Sequence, residues 1–319
     1  MSALNKKLAS EYAEHGIITD LSRLLRSRHW AQHLKLFSRQ AARSMLLGNV
    51  RSRFRGRGME FEEVRRYQAG DDIRTIDWKV SARVGKTYTK LFCEERERPC
   101  HILVDQRSHL YFGSEKQFKS VLAAELATGL SWAALAGGDR VGGQVIGDFA
   151  ERDSRGRRSK QAVLHFIHDI NEFNQALMQP ELLDEENKPD QPSSLANSLE
   201  ECQRITRPGT AIFIISDFHD FDAGAAKALS NLGKQADVSL LHVVDKLEQE
   251  LPFNGSIAIS DGEQKSHVQV SKNVKQAYHT KLAEQDALLK SAATKARALY
   301  KKVHTSQSSR DVLMGIFGK

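Results

Sequence analysis

The chain predicts an α/β doubly wound domain, built on a mainly parallel sheet with helical additions at its N- and C-terminal ends. Three observations carry that expectation. Short apolar runs, Ile102 to Val104, Val141 to Ile146, Ala211 to Ser216 and Val238 to Val244, read as strands buried on both faces. Helical candidates alternate with them: Lys116 to Leu135, Lys160 to Leu177, Leu195 to Ile205 and Ala223 to Lys234. Turn residues, Gly113, Gly137-Gly138-Asp139 and Pro208-Gly209, fall where strands and helices should end.

Residues 1–48 read as a basic helical segment. Leu21, Leu24, Leu25, Ala31, Leu34 and Phe37 recur at helical spacing, with Arg23, Arg26, Arg28 and Lys35 between them, and Asp20 offers a cap without a full capping box. Residues 49–99 hold the densest run of motifs. Gly56-Arg57-Gly58 is not a phosphate cradle, because such a loop follows a strand and opens a helix. Ala69-Gly70-Asp71-Asp72 reads as a tight turn, Thr87 to Phe92 as a short strand, and Glu94 to Arg98 as a solvated or internally paired charge run. The main domain spans residues 100–250, with Asp184 to Pro192 an exposed loop. Residues 251–319 open on a hairpin, Ile257 to Ser260 and His267 to Val270 around Asp261-Gly262. A long helix from Asn273 to Val303, packing through Leu282, Leu288, Leu289 and Leu299, and a short one from Asp311 to Phe317 complete the expected elements.

At 319 residues the chain is long enough for an ordinary buried core. Cys93, Cys100 and Cys202 are widely spaced with no Cys-x-x-Cys pair, which argues against a disulfide framework or zinc ribbon and favours a reduced compartment. Residues 1–16 lack the apolar core of a signal peptide, and Val121 to Ala136 is too short and polar to span a bilayer. A cytoplasmic location with no transmembrane segment is expected. The net charge of +7 is uneven: residues 1–100 carry 21 Lys plus Arg against 12 Asp plus Glu, the remainder 26 against 28. All the excess lies in the first third, where it can meet an anionic partner or pair with acids of the body.

The ordered words Gly-x-Gly-Met-Glu-Phe, Arg-x-Tyr-x-x-Gly-Asp-Asp-x-Arg-x-Ile-Asp-Trp, Ser-Ala-Arg and Glu-Glu-Arg-Glu-Arg-Pro precede a strand ending in Asp105 and a later Ile215-Ser216-Asp217-Phe218. Over residues 50–250 this closely resembles the bacterial domain-of-unknown-function 58 family. The resemblance implies a von Willebrand factor A-like fold and association with MoxR-type AAA+ ATPases, which act as chaperone-like remodellers, and with other von Willebrand factor A proteins. Membrane spans found in many relatives are not carried over to this chain.

The resemblance also lays a metal-ion-dependent adhesion frame on Asp105, Arg107, His109, Ser193 and Asp217. Metal-binding relatives of the fold carry Asp-x-Ser-x-Ser where this chain has Asp105-Gln106-Arg107-Ser108-His109. Arginine offers only donors and a fixed charge, so it cannot ligate a hard cation. Asp105, Ser193 and Asp217 remain as oxygen-bearing positions, and the site is expected to be degenerate: no cofactor, with magnesium the ion if there is one. In its sharper form the expectation is that Arg107 supplies the missing positive charge and bridges Asp105 and Asp217.

Other candidates weigh less. Arg74, Asp77 and Trp78 of the motif segment join the binding set; Trp78 and Tyr67 could stack a base, though core anchoring is the expectation. His165 and His168 have no third ligand at zinc spacing. Adjacent Ser108 and His109 project to different sides and form no dyad. His219, Asp220 and Asp222 fit either a ligand face or a turn and cap. There is no Gly-x-x-x-x-Gly-Lys-Ser/Thr loop and no convincing nucleophile, base and charge stabiliser in one set. A non-enzymatic protein-binding adaptor is therefore expected, partnered by the AAA+ ATPase. The alternative is a binder of nucleic acid or anionic membrane surface through the basic first third, which would weaken steeply with salt.

Overall fold

The computed structural model describes residues 12, 16–36, 59–94, 98–179, 192–249, 255–260 and 265–318. The chain divides into two compact units, residues 39–97 and the rest. Sequence readings at residues 1–11, 37–58, 95–97, 184–191 and 261–264, which include Gly56-Arg57-Gly58 and the Asp261-Gly262 turn, lie outside the described residues.

The larger unit includes, among the described residues, α1 (Leu21–Arg26) and α2 (Arg28–Ala31). Asp20 caps α1, accepting from the Ser22 and Arg23 amides.

The smaller unit comprises β1 (Met59–Arg66), α3 (Trp78–Val84) and β2 (Tyr88–Glu94), with β1 and β2 antiparallel. Gly70, at φ +102°, makes the turn that Ala69-Gly70-Asp71-Asp72 announces. Asp71 accepts from the Gln68 amide and the Arg65 guanidinium, and Asp72 caps a 3-10 turn over Ile73–Thr75. Asp77 caps α3, accepting from the Lys79 and Val80 amides at 3.1 Å. Trp78 does not anchor a core: it is 69 % exposed. It is the first residue of a seven-residue helix whose inward positions are Val80 and Ser81, so its indole points away from the hairpin.

Six strands form the central sheet. In chain order come β3 (Pro99–Asp105), α4 (Lys119–Ala136), β4 (Arg140–Ile146), β5 (Glu151–Arg157), α5 (Lys160–Ala176), α6 (Leu195–Ile205), β6 (Ala211–Ser216), α7 (Ala223–Leu232), β7 (Asp237–Val244) and the four-residue α8 (Lys246–Gln249). A hairpin of β8 (Gly255–Ser260) and β9 (Lys265–Val270), then α9 (Lys272–Lys295), β10 (Leu299–His304) and α10 (Ser309–Phe317), complete the chain. The sheet order is β10-β7-β6-β3-β4-β5, parallel except for β5.

Strand alternation divides the core in two, as a doubly wound fold requires. Ile102, Val104, Phe213 and Ile215 face α4 and α5, while Leu103, Ile212 and Ile214 face α6, α7 and α9. Helix α4 is buried from Lys119 to Ala134, because α1, α2 and α10 cover the side that the sheet does not. Gly129 makes that covering possible: a Cβ there would lie 2.6 Å from the Trp30 ring and 2.8 Å from Leu313.

One sequence expectation is corrected here. The long C-terminal helix stops at Lys295, not Val303, and Leu299–His304 is a strand beside β7. Arg297, at φ +54°, turns the chain out of the helix, and Val303 is then buried in the sheet.

Candidate functional site

The chain runs from β3 outward to β4 on one side and later through β6 to β7 and β10 on the other. The carboxyl ends of β3 and β6 therefore flank the point where the winding reverses, the crevice where open α/β sheets bind ligands. Asp105 ends β3 and Asp217 follows β6 directly, so both sit in that crevice. A 3-10 turn over Ser108–Leu110 places Arg107 and His109 beside them. Ser108 turns to the Asp148 carboxylate through its amide and hydroxyl.

Arg107 fills the centre. Its side chain is 4 % exposed. Nε donates to Asp105 Oδ1 at 2.9 Å; one terminal nitrogen donates to Asp105 Oδ2 at 2.7 Å and Asp220 Oδ1 at 2.9 Å. The other donates to Asp220 Oδ2 at 2.7 Å and the Ser193 carbonyl at 3.2 Å. Five N–H groups meet five acceptors, the full capacity of a guanidinium. Burial works against the charge, but the hydrogen bonds to Asp105 and Asp220 outweigh it and hold the Arg107 pKa above its usual value. The partner expected from the sequence is thus half corrected: Arg107 bridges Asp105 and Asp220, not Asp105 and Asp217. Asp217 points instead to Lys119, while Asp220 returns over the guanidinium and also accepts from the Leu195 amide at the start of α6.

A second ion-pair cluster adjoins the first. Lys119, the buried first residue of α4, donates to Asp217 at 2.7 Å and to Glu248 at 2.5 Å. His109 Nδ1 lies 3.0 Å from Asp217, its Nε2 is 3.9 Å from Asp105, and its ring stacks on His219 at 5.4 Å. Burial opposes the charge on Asp217, yet His109 and Lys119 bring its pKa far below the carboxylate range. The His109 pKa is raised, since the hydrogen bond to Asp217 overcomes desolvation.

Of the residues singled out in the sequence, Asp105, Arg107, His109 and Asp217 converge, and Ser193 joins through its backbone carbonyl and not its hydroxyl. Asp222 is a helix cap for α7, whereas Asp220 belongs to the site. Lys119 and Glu248 were missed: a lysine opening a helix and a glutamate in a charged loop read as solvated surface. Arg74, Asp77 and Trp78 belong to the smaller unit, where Asp77 is a cap and Arg74 and Trp78 are exposed.

Asp105, His109 and Asp217 bring ligand atoms within 4.8 Å of one another, close enough for a metal ion. The donor set nonetheless does not fit magnesium. Asp105 already accepts from Arg107 and from Ser216 at 2.7 Å, and Asp217 from Lys119, His109 and the His219 amide. Two fixed cations hold the oxygens that an octahedral ion would need. At a second grouping, His168, Asp169 and Glu172, the two acids are likewise taken by Arg152. Cys100 and Cys202 are buried and free, with burial pushing the Cys202 thiol up to about 12, so neither is a thiolate nucleophile.

An uncharacterized protein of Mycobacterium bovis and another of Mycobacterium tuberculosis are each 26 % identical to the chain over 230 residues, covering 72 % of it and 69 % of the relative. The family model described as "Protein of unknown function DUF58" matches residues 63–288, which take in β2, the sheet through β7 and both ion-pair clusters. The chain belongs to the DUF58 family.

Proposed function

We propose that the chain is a non-enzymatic protein-binding adaptor, working with a MoxR-type AAA+ ATPase in chaperone-like assembly or remodelling of other proteins. On this reading the fold is a von Willebrand factor A-like domain whose metal-ion-dependent adhesion site has become an internal salt bridge, and the protein acts in the cytoplasm. The observation that carries the proposal is the saturated guanidinium of Arg107, which closes the switch-point crevice with the protein's own side chain. With both central carboxylates paired, and no activated nucleophile beside them among the described residues, this reading assigns recognition to surfaces. The smaller unit supplies one: Ile73 and Trp78 are 66 % and 69 % exposed, next to Arg74 and Lys79. An aromatic and an arginine presented together are typical anchors of protein interfaces.

Affinity purification at native expression, with and without nucleotide, tests the reading. Recovery of a AAA+ ATPase is the expected result. Recovery of nucleic acid alone, released at moderate salt, would replace it with an anionic-polymer binder acting through the basic first third.

A further inference from the structure

Lys119 is 2 % exposed and holds two carboxylates that are themselves held very differently. Asp217 is buried and pinned also by His109 and the His219 amide. The Glu248 side chain is 35 % exposed, stands on the four-residue α8, and among the described residues accepts one further hydrogen bond, at 3.4 Å from the Asp245 amide. It lines a cleft of about 240 Å³ whose walls include Phe218, Tyr278 and Leu282, with Lys281 and Lys302 among its charged groups.

Building on the adaptor reading, we infer that this cleft receives a carboxylate side chain of a protein partner, which displaces Glu248 and takes its place on Lys119. The exchange is like for like. The buried ammonium never loses its second counter-charge, which would be costly, and Glu248 moves into water, where a carboxylate is well solvated. Once Glu248 withdraws, Lys119, Lys281 and Lys302 outnumber Asp217 and Asp286 in the cleft, so an anion is favoured. A carboxylate suits the position better than a phosphate, because Asp217 remains on the same ammonium and repels a second negative charge. The apolar walls at Phe218 and Leu282 favour an acidic residue with an apolar neighbour.

The test uses the full chain and two fluorescent peptides, one carrying a glutamate between leucine and phenylalanine, the other a glutamine in its place. Glu248→Ala should bind the glutamate peptide roughly ten-fold or more tightly than the wild type, the weight of one charge-assisted hydrogen bond. The glutamine peptide should gain nothing, and Leu282→Glu should abolish binding. Gln285, whose side-chain amide donates to the Phe218 and His219 carbonyls, gives a local nuclear magnetic resonance reporter that should shift only with the glutamate peptide. A folded Glu248→Ala protein that binds both peptides alike, or neither, overturns the inference. The adaptor reading fails separately. A AAA+ ATPase captured equally by wild type, Glu248→Ala and Leu282→Glu sinks the cleft but not the adaptor, whereas peptide exchange without any protein partner sinks the adaptor alone.

Discussion

Arg107 uses every N–H of its guanidinium inside the molecule, so its removal is expected to act in two ways. Arg107→Ser leaves Asp105, 0 % exposed, and Asp220 without their shared counter-charge. Breaking such a buried pair costs about 3–5 kcal/mol. The same change frees the oxygens of Asp105 and Asp220, so added magnesium should recover part of the lost melting temperature, while the wild type should not respond. A large magnesium-dependent shift in the wild type would show that the crevice is open after all. His109 tests the adjoining cluster. Its raised pKa means that the protonated ring paired with Asp217 contributes stability fully below the ordinary value of 6.5 and loses it as pH rises through the higher folded-state value. The melting-temperature advantage of wild type over His109→Gln should therefore be largest at about pH 5–6 and shrink as pH rises through the histidine range and above it. An advantage independent of pH would mean that the ring acts by packing alone.

At the scale of elements, what the sequence made legible was what burial writes into it. The four apolar strands and four intervening helices stand within a few residues of their expected places, because each is buried on one face or two. β5 and β10 were not legible, since they are edge strands: Glu151 to Arg157 holds five charged residues with one serine and one glycine, and Leu299 to His304 carries Lys301 and Lys302. Asp105 and Asp217 could be found because they end apolar runs. Lys119 and Glu248 could not, because nothing local marks a lysine whose helix start is buried by other parts of the chain. Trp78 failed differently: hydrophobicity suggested a core, but helix phase turns it outward. Trp78→Ser should accordingly leave stability within about 0.5 kcal/mol, as surface changes do. Capture of the proposed ATPase should be lost, and capture that survives would remove this face from the interface. Gly129 makes the opposite case. Gly129→Ala drives a methyl into Trp30 and Leu313 and should cost about 1–3 kcal/mol in chemical denaturation. A neutral result would mean that α2 and α10 are free to shift on α4.

For the molecule as a whole, the two ends of the central sheet are built differently. β5 presents glutamate, aspartate and three arginines along its length, charges that discourage pairing with another chain. On the other side β10 covers β7, whose Leu240, Leu241 and Val243 are fully buried. The segment that begins with β10 also supplies α10, so one stretch pairs with β7 and covers α4. Val303, Val312 and Leu313 are all buried, and each such side chain is worth about 1.5–3 kcal/mol. Their sum is of the same order as the net stability of a whole domain, about 5–15 kcal/mol. Deleting residues 299–319 should therefore abolish the cooperative melt and turn the chain to aggregates on size-exclusion chromatography, through both the bared β7 edge and the bared face of α4. Deleting the β8–β9 hairpin offers the contrast, since among the described residues those strands pair with each other and their loss leaves every strand of the central sheet bonded. If the 299–319 deletion stayed monomeric and melted cooperatively, the sheet would have to be closed at β7 by something other than this terminal stretch.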